Sequence, residues 1–252
     1  MKEIFPKKVK DKQEELNELL ERDMFLLKKV SNNKIRHMLT NIAISHSILI
    51  EYPEHKTTHY KNEIRSLKRD ATRNLQQAWT ETKNELSNTH EVTPQLITKI
   101  LKTVEPWQTL HPIEGVRSYD AELQNINYHP PSPTKILGEI HSMIQETRKL
   151  DTPLEKAIYT HFHIARIQPG EDGNKRTARL IQNAYLCSSN LLPIIINSKL
   201  RSAYLDAFEE SIEAYYNHDN IYLEPFSTFL LNRLDDSVHS YMANVKNDSL
   251  CR

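Results

Sequence analysis

Three times between residues 93 and 153 a hydroxyl residue is followed at once by proline and then by a run with helical spacing. Thr93-Pro94 precedes LITKIL, and Ser132-Pro133 precedes an apolar stripe at Ile136, Leu137, Ile140, Met143 and Ile144. Thr152-Pro153 opens a third run, with Glu155 placed to complete a capping box. Each hydroxyl can accept one of the unpaired N–H groups of a first helical turn, and proline at the first helical position gives up no hydrogen bond. Ser198 is placed to cap a further helix through LRSAYLDAFEESIEAYY, and Pro225 opens the last one, with Phe226, Phe229, Leu230 and Leu234 facing inward. Residues 54–90 are polar and helix-compatible, and read as surface helices. Only 113–131, which contains VRSYDAELQNINYHPPSP, lacks helical periodicity. Its proline pair and turn formers predict a long loop or a short hairpin, the one place for β structure. The fold class is all-α.

The 33 Lys+Arg balance 33 Asp+Glu. That balance gives no support for non-specific nucleic-acid binding, which leaves a basic footprint. Cys187 and Cys251 cannot make a disulfide framework, which fits a reducing compartment. The N-terminal MKEIFPKKVKDKQEELNELL has no apolar signal region, and no apolar run approaches the ~20 residues of a membrane helix. The expectation is a cytoplasmic chain without membrane or nucleic-acid partners. Export by a signal-less route would leave no trace in the sequence.

Two of only four glycines, Gly170 and Gly173, fall in ARIQPGEDGNKRTARL, residues 165–180. Pro169 and Gly170 stop one helix near Ile167, and another starts at Asn174 or Lys175. EDGNKR therefore lies at a helix N-terminus, where unpaired N–H groups and the helix dipole favour anions. Gly173 lets the backbone curl towards an anion, and Lys175, Arg176 and Arg179 add positive charge. Asp172 beside such a cradle is suited to hold Mg²⁺ with phosphate oxygens as co-ligands. The alternative is a plain corner between helices, with Asp172 as an N-cap and solvated basic residues.

The run HFHIARIQPGEDGNKRTARL resembles the signature of the Fic family, matching it at Pro169, Asp172, Gly173, Asn174, Arg176 and Arg179. The Asn174–Thr177 variant is similar to the Doc branch. Gly115-Val116-Arg117, the segment Asn127-Tyr128-His129-Pro130-Pro131 and the final Glu224-Pro225-Phe226 also fit, so the resemblance spans roughly residues 90–240. It implies a Fic-type helical bundle with a short β-hairpin flap, divided into an N-terminal helical part, 1–90, and a Fic core, 91–252. It implies transfer of AMP from ATP, with Mg²⁺, to a protein hydroxyl. Asp172 would hold the metal. Gly173, Asn174, Lys175 and Arg176 would cradle the α- and β-phosphates, and Arg179 would meet the γ-phosphate. Asn127, Tyr128 and His129 would lie in the flap that docks the protein target. A homodimer is left open.

Gln168 stands where the family places its catalytic His, and Gly170 where it places an anchoring Phe. A Gln amide is no base at neutral pH, and loss of a general base costs about 10²- to 10⁴-fold. The glycine is expected to loosen the loop. Either the chain binds nucleotide with little transfer, or another group, with His161, His163 and His129 as candidates, supplies the base. SILIE, residues 47–51, resembles the family's inhibitory helix, placed here around 40–52, with Ser47 and Glu51 one turn apart and Tyr52 departing from the pattern. The resemblance pairs Glu51 with Arg179, which would block the γ-phosphate. Three functions stand side by side: an adenylyltransferase with altered catalysis, a non-catalytic nucleotide-binding regulator, and a helical interaction module.

Overall fold

The computed structural model describes residues 4–26, 29–51, 61–122 and 128–250. Its elements are α1 (Lys8–Leu26), α2 (Lys29–Glu51), α3 (Lys61–Thr89), α4 (Pro94–Val104), α5 (Pro133–Arg148), α6 (Pro153–Ile167), α7 (Asn174–Ser188), α8 (Arg201–Tyr216) and α9 (Glu224–Leu250), with a 3₁₀ turn at Ser198–Leu200. No strand forms among the described residues, and none of their helices is long and apolar enough to cross a membrane.

The hydroxyl-proline starts behave unequally. The Thr93 hydroxyl accepts from Leu96 N at 3.1 Å. Thr152 accepts from Glu155 N at 3.1 Å while the Glu155 carboxylate takes Thr152 N at 3.0 Å, a complete capping box. Ser132 makes no side-chain cap; its hydroxyl faces that of Thr134 instead. The cap before α8 is Asn197, whose side chain accepts from Lys199 N, and not Ser198, whose own N–H turns to His46 Nδ1.

By its contacts the chain divides into two compact units, Glu51–Ser188 and a second made of Met1–Ile50 with Ser189–Arg252, a grouping different from a cut at residue 90. In the first, α6 is buried from Leu154 to Ile167 between α5 and α7, and α7 packs in turn on α3 and α4. Ile100, Ile136, Ile158, Phe162 and Ile181 are fully buried there. The sequence reading of 54–90 as surface helix needs correction: α3 buries a stripe of Ala71, Leu75, Ala78, Thr82 and Leu86. Small and polar members disguise that stripe as a solvated face.

The second unit is held by α8 on α9 and α1 on α9. Tyr204, Phe208 and Phe226 form its aromatic centre, and Lys12 pairs with Asp235 across α1 and α9. Arg36 and Arg201 donate to the carbonyls of Leu191 and Ile50 at 2.9 and 3.0 Å.

The caps give a direct test by urea unfolding. Thr152→Ala is expected to lose about 1 kcal/mol, and Ser132→Ala only a few tenths, because only the first removes a bond that satisfies a helix N–H.

Candidate functional site

The site is the corner between α6 and α7. Gln168 ends α6 in the left-handed region, φ 52°, ψ 59°, a conformation that usually selects Gly or Asn. Its side chain explains the exception. Nε2 donates to the Ala165 carbonyl, and Oε1 accepts from Asn174 Nδ2 at 3.0 Å. Asn174 is itself buried and clamps Gly170 from both sides, accepting from its N–H at 2.7 Å and donating to its carbonyl at 2.9 Å.

Arg117 fastens the corner to the 113–131 segment. Its side chain is fully buried, and burial pushes its pKa down. Nε donates to the Gln168 carbonyl at 2.8 Å, the two Nη groups donate to the carbonyls of Tyr119 and Pro131, and Arg117 N donates to Pro169 O at 2.8 Å. One side chain thus takes carbonyls that a hairpin would give to cross-strand N–H groups. The described part of the expected flap is accordingly irregular backbone, with Tyr128 buried and His129 exposed. Asn127 lies outside the described residues.

Gly170 does not loosen the loop, contrary to expectation. It is buried, and a Cβ there would lie 2.7 Å from Gln108 Oε1 and 2.9 Å from Leu101 Cδ2. The Gln108 amide takes over the anchoring. It donates to the Leu101 carbonyl at 2.6 Å and accepts from Glu171 N at 3.1 Å. Glu171 reciprocates by accepting from Thr109 N at 3.1 Å.

On the α7 side, Gly173 has φ 77°, and a Cβ would come within 3.0 Å of Val104 and 3.1 Å of Glu105, so both conformation and space require glycine. Asp172 projects with its side chain 54% exposed. Its Oδ1 accepts from Gly173 N, and its Oδ2 lies 3.2 Å from Arg176 Nη2. Arg176 is buried, and its Nη1 donates to Glu105. Arg179 is buried too, and its Nη2 meets Glu51 Oε1 at 2.8 Å. Burial pushes the Glu51 carboxyl up, but Arg179, with Lys175 and Arg176 behind it, outweighs burial and holds it below its ordinary value. Arg179 is the cation that touches this carboxylate. Ser47 is buried on α2, one turn before Glu51.

Of the three candidate bases, two are inside the fold. His161 is fully buried, its Nδ1 2.5 Å from Gln182 Oε1, and burial pushes its pKa down to about 3. His163 lies against Tyr159 and Phe162, and burial, helped by Arg166, pushes it well down. Glu105 and Gln108, which shape the corner, carry no motif in the sequence, and Arg117 is legible only as part of Gly115-Val116-Arg117, with no partner named for it. Each is a lone polar residue in an irregular stretch, recognisable only through the partner it meets.

The described residues form a helical bundle with a basic, glycine-shaped corner at one helix start. More narrowly, the profile of the Fic/DOC family matches residues 14–186, and the chain belongs to that family. It is 27% identical over 138 residues to a protein adenylyltransferase Fic of Nematostella vectensis, an alignment covering 53% of this chain and 31% of that protein. It is 25% identical over 143 residues to the protein adenylyltransferase fic-1 of Caenorhabditis elegans, covering 55% and 27%. The chain thus spans less than a third of the length of these relatives. Among solved structures, it matches a Fic domain containing signalling protein from Bacteroides thetaiotaomicron with TM-score 0.67 at 19% identity, covering 95% of this chain and 96% of the other. It matches Fic-1 of C. elegans with TM-score 0.69 at 17% identity, covering 95% and 73%. These likenesses establish the fold.

Two outcomes follow for the corner. Gly170→Ala is expected to destabilise by about 1–3 kcal/mol from overpacking, and less in a Gln108→Ala background, since the two sites share one space. The check is denaturant unfolding of the double-mutant cycle. His161 is neutral in the fold because its pKa is depressed, so the unfolded chain binds the extra proton. Its contribution to stability is full above the ordinary histidine pKa of about 6.5 and falls as pH drops below it, by at most about 1.4 kcal/mol per pH unit. In an NMR titration its ring signals should not move between pH 7 and 5; a midpoint near 6.5 would contradict the burial argument.

Proposed function

We propose that the α6–α7 corner is an ATP site of the protein adenylyltransferase type, restrained by Glu51 and altered in its chemistry by Gln168. The observation that carries this reading is the ion pair of Arg179 with Glu51 at 2.8 Å, beside Lys175 and Arg176 in the first turn of α7. Three cations at a helix start suit a polyphosphate, and a carboxylate among them occupies the place of an anion. In this reading Gly173, Asn174, Lys175 and Arg176 cradle the α- and β-phosphates, and Arg179 takes the γ-phosphate once Glu51 withdraws. Ser47 belongs to the same inhibitory helix. The segment around Asn127, Tyr128 and His129 docks the protein whose hydroxyl attacks the α-phosphorus, with pyrophosphate leaving.

Asp172 fits Mg²⁺: it is an exposed carboxylate at the mouth of the cradle. Among the described residues no three or more His, Cys, Asp or Glu side chains gather as a metal site, so the remaining ligands would come from phosphate and water. When bound, the ion would neutralise charge on the phosphates and on the leaving group.

Gln168 favours a second reading, a nucleotide-binding regulator that does not turn ATP over. Its amide is bonded to Ala165 and Asn174 and has no pKa with which to take a hydroxyl proton. His161 and His163 are sealed in the core; of the three candidates His129 alone is exposed.

The two readings separate by experiment. Glu51→Gly is expected to raise ATP affinity about tenfold, the worth of one charge-assisted pair of about 1.4 kcal/mol, measured by calorimetry with Mg²⁺. An unchanged affinity would remove Glu51 from the site. Label transferred from ATP to protein by the Glu51→Gly variant, and lost with Asp172→Ala, supports the enzyme. Binding without transfer supports the regulator. Under the regulator reading, Gln168→His should raise transfer by about 10²-fold or more if the rest of the machinery is in place.

A further inference from the structure

Arg176 is the least accessible of the proposed phosphate ligands, and its partners are unlike those of Arg179. One Nη is on Glu105, whose side chain is 8% exposed; the other is 3.2 Å from Asp172. Glu105 is fixed in its turn. It caps the C-terminus of α4 through its N–H to Leu101 O at 2.9 Å, and its second carboxylate oxygen accepts from Trp107 Nε1. Its Cγ lies directly under Gly173, 3.1 Å from where a Cβ would be. The carboxylate is thus built into the floor of the cradle.

We propose that Glu105 and Arg176 are positioning residues for Asp172: Glu105 anchors the guanidinium, and the guanidinium holds the exposed carboxylate that receives the metal. The chemistry needs such a device. An Asp on an exposed loop samples several rotamers, and a metal ligand must be oriented before the ion arrives. Gly173 N holds one oxygen of Asp172, and Arg176 steadies the other. Glu105 is also a counter-charge. Without it the Arg176 cation would act on Asp172 undiluted and compete with a divalent ion for it. The inference rests on the ATP–Mg²⁺ reading of the corner and assigns two of its parts.

The test uses the full chain carrying Glu51→Gly, so that the inhibitory carboxylate does not mask binding. ATP affinity is measured by calorimetry with Mg²⁺ and with a chelator, and Mn²⁺ uptake in the presence of ATP is followed by electron paramagnetic resonance. The ratio of ATP affinity with Mg²⁺ to that with a chelator is expected to fall about tenfold in Glu105→Gln, the usual effect of removing a partner of a metal ligand. Glu105→Asp should recover part of the gain. General damage to the fold lowers both affinities together and leaves their ratio alone. If Glu105→Gln does not fold, Glu105→Asp carries the same ratio test. An unchanged ratio overturns the proposal. So does a rise in affinity of equal size with and without metal, which would make Glu105 a mere competitor for a phosphate-binding Arg176. Absence of any ATP binding by the Glu51→Gly protein itself would overturn the nucleotide reading as a whole, and that is seen before any Glu105 variant is made.

Discussion

Among the described residues of the Glu51–Ser188 unit four arginines are buried, and the geometry of the α6–α7 corner follows from how each is satisfied. A guanidinium cannot shed its proton, so burial is tolerable only where acceptors are waiting. Arg117 is met by three backbone carbonyls, Arg166 by Glu139, Arg176 by Glu105 and Arg179 by Glu51. Removing one partner from a buried pair leaves an uncompensated charge at a cost of about 3–5 kcal/mol. The arginines therefore dictate where the intervening segments go. Arg117 draws 119 and 131 towards the end of α6, and Arg176 fixes α7 against the end of α4.

Much of this architecture could be read in the chain and some could not, for identifiable reasons. Thr93 and Thr152 announce helices because an N-cap is a local interaction, complete within four residues. The break at Pro169-Gly170 and the restart at Asn174 are local in the same sense. Ser132 and Ser198 carry the same signal yet cap nothing, since nearby groups, Thr134 for one and Asn197 with His46 for the other, compete for the same bonds. Gly170 misleads for a deeper reason. A glycine replacing a large residue reads as lost anchoring, but Gln108, 62 positions earlier, fills the space and makes the hydrogen bonds. Compensation at that separation has no local mark. Glu105 is equally silent.

Gln168 holds the loop between α6 and α7 by its own bonds. A non-glycine residue in the left-handed region costs roughly 1–2 kcal/mol. Gln168 offsets that strain with two side-chain bonds and a carbonyl held by Arg117. The amide is thus a structural member of the corner as much as an absence of chemistry. It joins the end of α6 to Asn174 at the start of α7, across the stretch that must stay rigid for backbone N–H groups to point at a ligand.

Besides Asp172, two carboxylates meet the corner's arginines, and they differ in how they are held. Glu105 is 8% exposed, caps a helix of the core and bonds Trp107; displacing it would disturb α4. Glu51 is 26% exposed, terminates α2 and reaches Arg179 by its side chain alone. Under the proposed ATP reading, a phosphate oxygen would compete with Glu51 for the same guanidinium. It has no such access to Glu105. The two arginines are thus paired differently, Arg176 with a carboxylate fixed in the core and Arg179 with one held by its side chain alone.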